Sequence, residues 1–191
     1  ASERHKCYRQ EVSGWRSPGA GLPIQSHQHG GGHENQRRPG NENVAAIAGM
    51  AAAAEWATRE EAAEQARQSE LRDRLWKIIS RAFPLAQQNG ATAPRLANTL
   101  NVSFPGTSSE TLLMALDLEG ICASSGSACM VGSVTASHVL LAMGASADIA
   151  GSAIRFSIGK QTTAEEIGEA GAVVGRVMNR LCARRDAYAA V

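Results

Sequence analysis

The chemistry this chain could perform is concentrated in a few residues, and Cys129 is the most informative of them. It stands in Ile121-Cys122-Ala123-Ser124-Ser125-Gly126-Ser127-Ala128-Cys129-Met130-Val131-Gly132-Ser133, where a short apolar run, readable as a strand end, gives way to small residues. Ser124 to Ala128 have little side chain to bury, and Gly126 and Gly132 remove backbone restraint, so an exposed and mobile loop carrying a thiol is expected. A helix beginning near Thr135 would turn backbone N–H groups toward that loop and favour a thiolate, the nucleophilic form. A lone cysteine more often packs as a small buried hydrophobe. The loop offers Cys129 no apolar partners for that, whereas Cys122, inside the apolar run Leu118 to Ala123, reads as core.

A second candidate group is His27, His29 and His33 among Gly30, Gly31 and Gly32. Neutral imidazoles close together hold zinc or copper. Their spacing matches no standard structural zinc pattern and no cysteine joins them, so no metal site is expected. Arg155, between Ile154 and Phe156, falls on a predicted strand where alternation alone points it at solvent. His138 and Asn98 are assigned local hydrogen-bonding roles.

The elements that must position these residues follow from periodicity and punctuation. Residues 1–43, rich in Gly, Pro, His, Arg and Gln, hold no apolar run long enough for a strand or helix. From Val44 to about Ala57 an Ala-rich stretch with Ile47 and Met50 on one face predicts a helix. Thr58 with Glu61 has capping-box spacing, which predicts a second helix from there to about Ala82, with Leu71, Leu75, Ile78 and Ile79 as its apolar stripe and Pro84 as its stop. A strand is expected over Leu96 to Phe104, a turn at Pro105-Gly106, and a helix over Ser109 to Leu118 capped by Thr107 and Glu110. Next come a strand at Ile121, a helix from Ser137 to Met143 closed by Gly144, a strand from Ala153 to Ile158, and a last helix capped by Thr163 and Glu166 that runs to about Arg184. Strands separated by helices make an α/β two-layer domain. The expected organisation is an irregular segment 1–43, a helical linker 44–83 and a small α/β domain 84–191.

Composition narrows the function classes. With 191 residues the chain can bury a sizeable core, and 43% hydrophobic with 19% charged residues is ordinary for a globular protein. A formal net charge of +1 gives no argument for nucleic acid or acidic membranes. The four cysteines, at 7, 122, 129 and 182, show no C-x-x-C spacing and are too sparse for a disulfide scaffold, which suits a reducing compartment. No apolar run approaches the roughly 20 residues of a membrane helix and no secretion signal opens the chain, so the reading is cytoplasmic. The opening Ala-Ser-Glu-Arg, without Met, fits a fragment or processed product.

Ser124-Ser125-Gly126-Ser127-Ala128-Cys129, preceded by Leu116-Asp117-Leu118-Glu119-Gly120-Ile121 and followed by Ser137-His138-Val139-Leu140-Leu141-Ala142-Met143-Gly144, resembles the active-site region of cysteine desulfurases of the nitrogen-fixation and iron–sulfur-assembly type, within the class V aminotransferase group. The likeness runs from about His5 to near Leu181 and corresponds to roughly the second half of a family member. It implies the small α/β domain of a fold-type I pyridoxal-phosphate enzyme, preceded by long helices and an irregular remnant of the large domain. It implies Cys129 as the thiol that takes sulfur from L-cysteine as a persulfide, leaving alanine. It further implies Lys6, in His5-Lys6-Cys7-Tyr8, as the Schiff-base lysine, with His5 and Asn41 at the cofactor and Arg155 gripping the substrate carboxylate. Glu3 departs from the family, which has a serine near the cofactor phosphate, and Asn41 replaces a threonine. The partners implied are L-cysteine, a sulfur acceptor such as an iron–sulfur scaffold protein, and a second copy of the chain. The family's first half supplies most of the cofactor pocket, so the isolated chain is expected to be inactive. Rival readings are a non-catalytic module for dimerisation or acceptor docking, and a selenocysteine lyase-like enzyme.

Overall fold

The computed structural model describes residues 2–5, 14–17, 25–26, 29–126 and 136–189. They fall into two compact units, residues 1–62 and 63–191. In the first unit, strand β1 (Ser2–His5) pairs antiparallel with β2 (Gly14–Ser17), with Ser2 opposite Ser17 and His5 opposite Gly14. No strand was legible there. Antiparallel pairing satisfies backbone N–H and C=O groups whatever the side chains, so a segment without apolar alternation still forms a ladder. A short turn, α1 (His33–Gln36), follows, and Glu34 and Asn35 in it adopt left-handed backbone with φ of 53° and 55°.

Helix α2 (Val44–Ala82) is one element of 39 residues, where the sequence pattern predicted two. Asn43 opens it, its side-chain oxygen accepting from the Ala46 N–H at 3.0 Å. Thr58, expected as a cap, lies inside the helix and donates its hydroxyl to the Ala54 carbonyl at 2.9 Å. Neither Gly nor Pro occurs from Met50 to Ala82, so nothing interrupts the ladder and the capping-box spacing is coincidental.

The second unit is built on a three-stranded antiparallel sheet of order β3-β4-β5. The strands are β3 (Gln87–Gln88), β4 (Thr99–Ser103) and β5 (Ala153–Ser157). Leu100 faces Phe156 and Val102 faces Ile154 across β4 and β5, so these four share one face. All four are buried in a core with Leu75 and Ile79 of α2, Leu112 and Leu116 of α3 (Ser109–Leu118), and Val174, Val177 and Met178 of α6 (Ala164–Ala189). Burying such a side chain contributes about 1.5–3 kcal/mol, and this is the main reason the sheet and these helices stay together. On the opposite face Ala153 packs with Leu140 of α4 (His138–Ala142) and Ala150 of α5 (Ala147–Gly151). The strand expected at Ile121 is reduced to a single antiparallel bridge between Ser124 and Arg155.

The helix starts show which sequence signals operate. Thr163 and Glu166 form the expected reciprocal cap of α6, with Thr163 N–H donating to Glu166 Oε2 at 2.8 Å and Glu166 N–H donating to Thr163 Oγ1 at 3.2 Å. Helix α3 is capped one residue later than expected, by Ser108, whose Oγ accepts from the Thr111 N–H at 3.2 Å. β3 and α5 went unread because elements this short carry too few residues for any period to appear.

Helices α2 and α6 meet through glycine. A Cβ built on Gly171 would lie 2.6 Å from Ile78 Cγ2 and 2.9 Å from Ile78 Cβ, and a β-branched residue held in a helix cannot swing away. Gly168, nearly one turn earlier, would meet only the end of Arg74, at 3.8 Å. Gly171→Ala should therefore destabilise the protein by about 1–3 kcal/mol, whereas Gly168→Ala should be neutral or stabilising by up to about 1 kcal/mol. Urea unfolding of the two variants checks the difference in sign.

Arg67 ties α2 to the turn before α6. Its Nη1 donates to the Thr162 carbonyl at 2.7 Å, its Nη2 to the carbonyls of Gly159 at 3.0 Å and Lys160 at 2.9 Å, and Glu64 receives Nε and Nη2 at 2.9 and 2.8 Å. The hydrogen bonds from Arg67 hold the Glu64 carboxyl below its ordinary value of 4.5, against an opposing effect of burial. Because the folded value is depressed, the unfolded chain takes up that proton first. The contribution is whole above the ordinary carboxylate value and is lost as pH falls through the lower folded one. Glu64→Gln should lower Tm at neutral pH, and the gap from the parent should close as pH falls below about 4, as thermal melts across pH would show.

Candidate functional site

Register, rather than any cavity, assembles the site. Asn101 of β4 stands opposite Arg155 of β5. The β3–β4 register, Gln87 with Ser103 and Gln88 with Val102, continues to Asn89, whose N–H donates to the Asn101 carbonyl at 3.0 Å. On the far side of β5, Ser124 bridges to Arg155: Arg155 N–H donates to the Ser124 carbonyl at 2.7 Å and Ser124 N–H to the Arg155 carbonyl at 3.1 Å. Residues opposite one another in a ladder project to the same face. Asn89, Asn101, Arg155 and Ser124 thus form one polar row across the sheet, on the face away from the main core.

The row has an internal order. Asn89 Nδ2 donates to Asn101 Oδ1 at 2.6 Å and to the Ser103 hydroxyl, a buried group, at 2.8 Å. Arg155 is half-buried. Among the described residues no carboxylate lies within ion-pair reach of its guanidinium. An arginine on a partly desolvated surface, with its planar fork uncommitted, is a receptor for a carboxylate or another oxyanion.

Ser124 carries the sequence consequence of this geometry. It opens the small-residue loop, so the bridge fixes the start of the segment leading to Cys129 beside Arg155. Cys129 itself lies outside the described residues, as does Lys6. Cys122 does not behave as expected: it is a free, exposed thiol. The apolar run that suggested a core position does not form a buried strand, and Leu118 at its start is 86% exposed. The run follows the end of α3 at Gly120, which turns the chain with φ of 79°, so its residues are read in a turn rather than by strand alternation.

The residues that the resemblance assigns to the cofactor fall in the first unit. His5 ends β1 opposite Gly14. Asn41 is exposed, and its carbonyl accepts from Arg38 Nη1 and Nη2 at 3.4 Å. A cavity of about 260 Å³ in this unit is lined by Ser26, His29, Gln36, Pro39 and the glycines 30–32. It presents a hydroxyl and an imidazole but no lysine or arginine for a phosphate and no carboxylate for a pyridinium nitrogen. The described residues of this unit therefore do not fit pyridoxal phosphate. In the second unit a cavity of about 390 Å³ between β3 and the α4–α5 pair is lined by Asn89 at one end but does not reach Arg155.

The sequence singles out Arg155, whereas the neighbours that share its row, Asn89, Asn101 and Ser124, come only from the structure. Alternation with Leu100 and Val102 places Asn101 on the polar face. Its partners come from strand pairing across distant segments, for which the sequence holds no local signal.

Comparison with known proteins places the chain in a family. The sequence model of the family described as aminotransferase class V matches residues 20–169. A cysteine desulfurase IscS of Dictyoglomus turgidum is 38% identical over 93% of this chain and 45% of that protein. One from Anaeromyxobacter sp. strain Fw109-5 is 46% identical over 72% of this chain and 34% of that protein. Among solved structures, a NifS-like protein from Rickettsia africae superposes with a TM-score of 0.71 at 30% identity, covering 83% of this chain and 41% of that one. Another NifS-like protein gives 0.69 at 32% identity, covering 84% and 40%. The chain thus spans less than half the length of these relatives. Its fold is that of the NifS-like proteins, an α/β arrangement of helices on a small open sheet, and the chain belongs to the class V aminotransferases.

Proposed function

We propose that this chain supplies the substrate-carboxylate receptor and the sulfur-accepting thiol of a cysteine desulfurase, which takes sulfur from L-cysteine, releases alanine and passes the sulfur from a Cys129 persulfide to an acceptor protein such as an iron–sulfur scaffold. The observation that carries the reading is the bridge between Ser124 and Arg155. It ties the start of the thiol-bearing loop to the residue suited to hold the substrate carboxylate. Arg155 grips the carboxylate through paired N–H groups. The thiolate of Cys129 attacks the substrate sulfur; as the new sulfur–sulfur bond forms, the carbon–sulfur bond breaks with its electron pair going to carbon, which takes up a proton and leaves as the methyl group of alanine. Small residues between Ser124 and Cys129 give the thiol the reach that handing sulfur to a second protein needs.

The family works with pyridoxal phosphate, and the roles of Lys6, His5 and Asn41 belong to that part of the proposal. The described residues themselves do not fit the cofactor. The same observation favours a second reading, a module that docks the acceptor or a second copy of the chain without turnover. A reducing cytoplasm suits the sparse cysteines, and among the described residues no helix is long and apolar enough to cross a membrane.

The test is to incubate the chain with L-cysteine and pyridoxal phosphate, with and without a separately expressed polypeptide corresponding to the part of the Dictyoglomus protein that this chain does not span. Alone, the chain should release no alanine. With the companion, alanine should appear and mass mapping should find one added sulfur atom on Cys129. In that assembly Cys129→Ser should abolish the persulfide, and Arg155→Ala should raise KM for cysteine roughly 10- to 100-fold, the equivalent of losing hydrogen bonds to a charged group. Sulfur on Cys122 with Cys129 unmodified, or no turnover with the companion, would contradict the proposal and leave the docking module.

A further inference from the structure

We infer that Asn101 is a second donor to the carboxylate received at Arg155, and that Asn89 is the positioning residue that aims it. The inference rests on the carboxylate reading of Arg155 and adds a neutral partner to it. Arg155 exchanges both of its backbone hydrogen bonds with Ser124. Its pairing with Asn101 on the other side is therefore the non-hydrogen-bonded kind, in which facing side chains come closest, with Cα atoms about 4.5 Å apart. The Asn101 carbonyl, correspondingly, turns to β3 and accepts from Asn89.

The orientation of the Asn101 amide follows from its oxygen. Oδ1 is taken by Asn89 Nδ2 at 2.6 Å on the β3 side, so the NH2 of the same planar group is turned away from β3, toward the β5 side. Reversing the Asn101 amide alone, with Asn89 kept as it stands, would set two NH2 groups against each other. Asn89 holds its own place through its backbone N–H on Asn101 and its Nδ2 on the Ser103 hydroxyl. Among the described residues nothing accepts from the Asn101 NH2 and no carboxylate engages Arg155. The row Asn89, Asn101, Arg155, Ser124 holds no acidic side chain. A carboxylate has lone pairs for several donors, and a neutral amide beside the guanidinium takes one of them without adding a second charge to desolvate. The amide also distinguishes a carboxylate from a carboxamide, whose NH2 would meet the Asn101 NH2 donor to donor.

The test uses the full chain labelled with nitrogen-15 and titrated with sodium propionate against sodium chloride at equal ionic strength, following the Arg155 Nε–H and the Asn101 side-chain NH2. Propionate, unlike chloride, should move both signals. Asn101→Ala should weaken propionate binding roughly 3- to 10-fold. Asn89→Ala should weaken it severalfold and uncouple the Asn101 NH2 signal from the titration. The isosteric Asn101→Asp should abolish the response and displace the Arg155 Nε–H signal before propionate is added. A propionate response at Arg155 with the Asn101 NH2 unmoved and the Asn101→Ala affinity unchanged would overturn the inference and leave Arg155 as the sole receptor. Absence of any propionate-specific response at Arg155 would overturn the carboxylate reading and this inference together.

Discussion

The pair of backbone hydrogen bonds between Ser124 and Arg155 is the interaction on which the functional arrangement depends. It makes Ser124, the first residue of a glycine- and serine-rich stretch of sequence, a further partner of the sheet at one point. It also spends the backbone donors and acceptors of Arg155 on that side, leaving Asn101 as its close side-chain neighbour across the other. A single backbone bridge thus decides which side chains share the polar face and where the thiol-bearing loop begins.

That bridge requires β5 to be held rigidly, and the opposite face of the sheet does so. Ile154 and Phe156 flank Arg155 and are buried against α2, α3 and α6. Alternation then leaves Arg155 no choice of face. The helical layer is drawn close by Gly171 against Ile78, with Gly175 against Ala82, where a Cβ would lie 2.9 Å from that alanine's own. Arg67 secures the turn that follows β5 by satisfying three of its carbonyls with one guanidinium. The apolar layer and this clamp carry the stability, and the polar layer is left free for chemistry. Such a division is expected when one strand must both anchor a core and present a charged group.

Much of this was legible in residue order. The Thr163–Glu166 cap, the stripe of Leu71, Leu75 and Ile79, and the alternation around Arg155 are local patterns, and each acts through neighbours a few residues away. The unbroken α2 was missed because a capping spacing has meaning only where a helix needs a start, and nothing between Met50 and Ala82 makes it stop. The apolar run around Cys122 predicts a strand, whereas the chain there leaves a helix through a turn at Gly120. The Asn89–Asn101–Arg155–Ser124 row was invisible because its members meet through register between segments far apart in sequence, and register is set by the packing of the whole sheet. The family likeness supplied roles for Lys6 and Cys129, which lie outside the described residues.

The stretch that leads to Cys129 is fastened at Ser124 to the strand that carries Arg155. Native-state amide hydrogen exchange measures that fastening. If the bridge is part of the folded sheet, the N–H groups of Ser124 and Arg155 should exchange as slowly as those of Ile154 and Phe156, opening only with the sheet itself. Exchange at Arg155 and Ser124 as fast as in an unprotected loop, with Ile154 and Phe156 still protected, would contradict it.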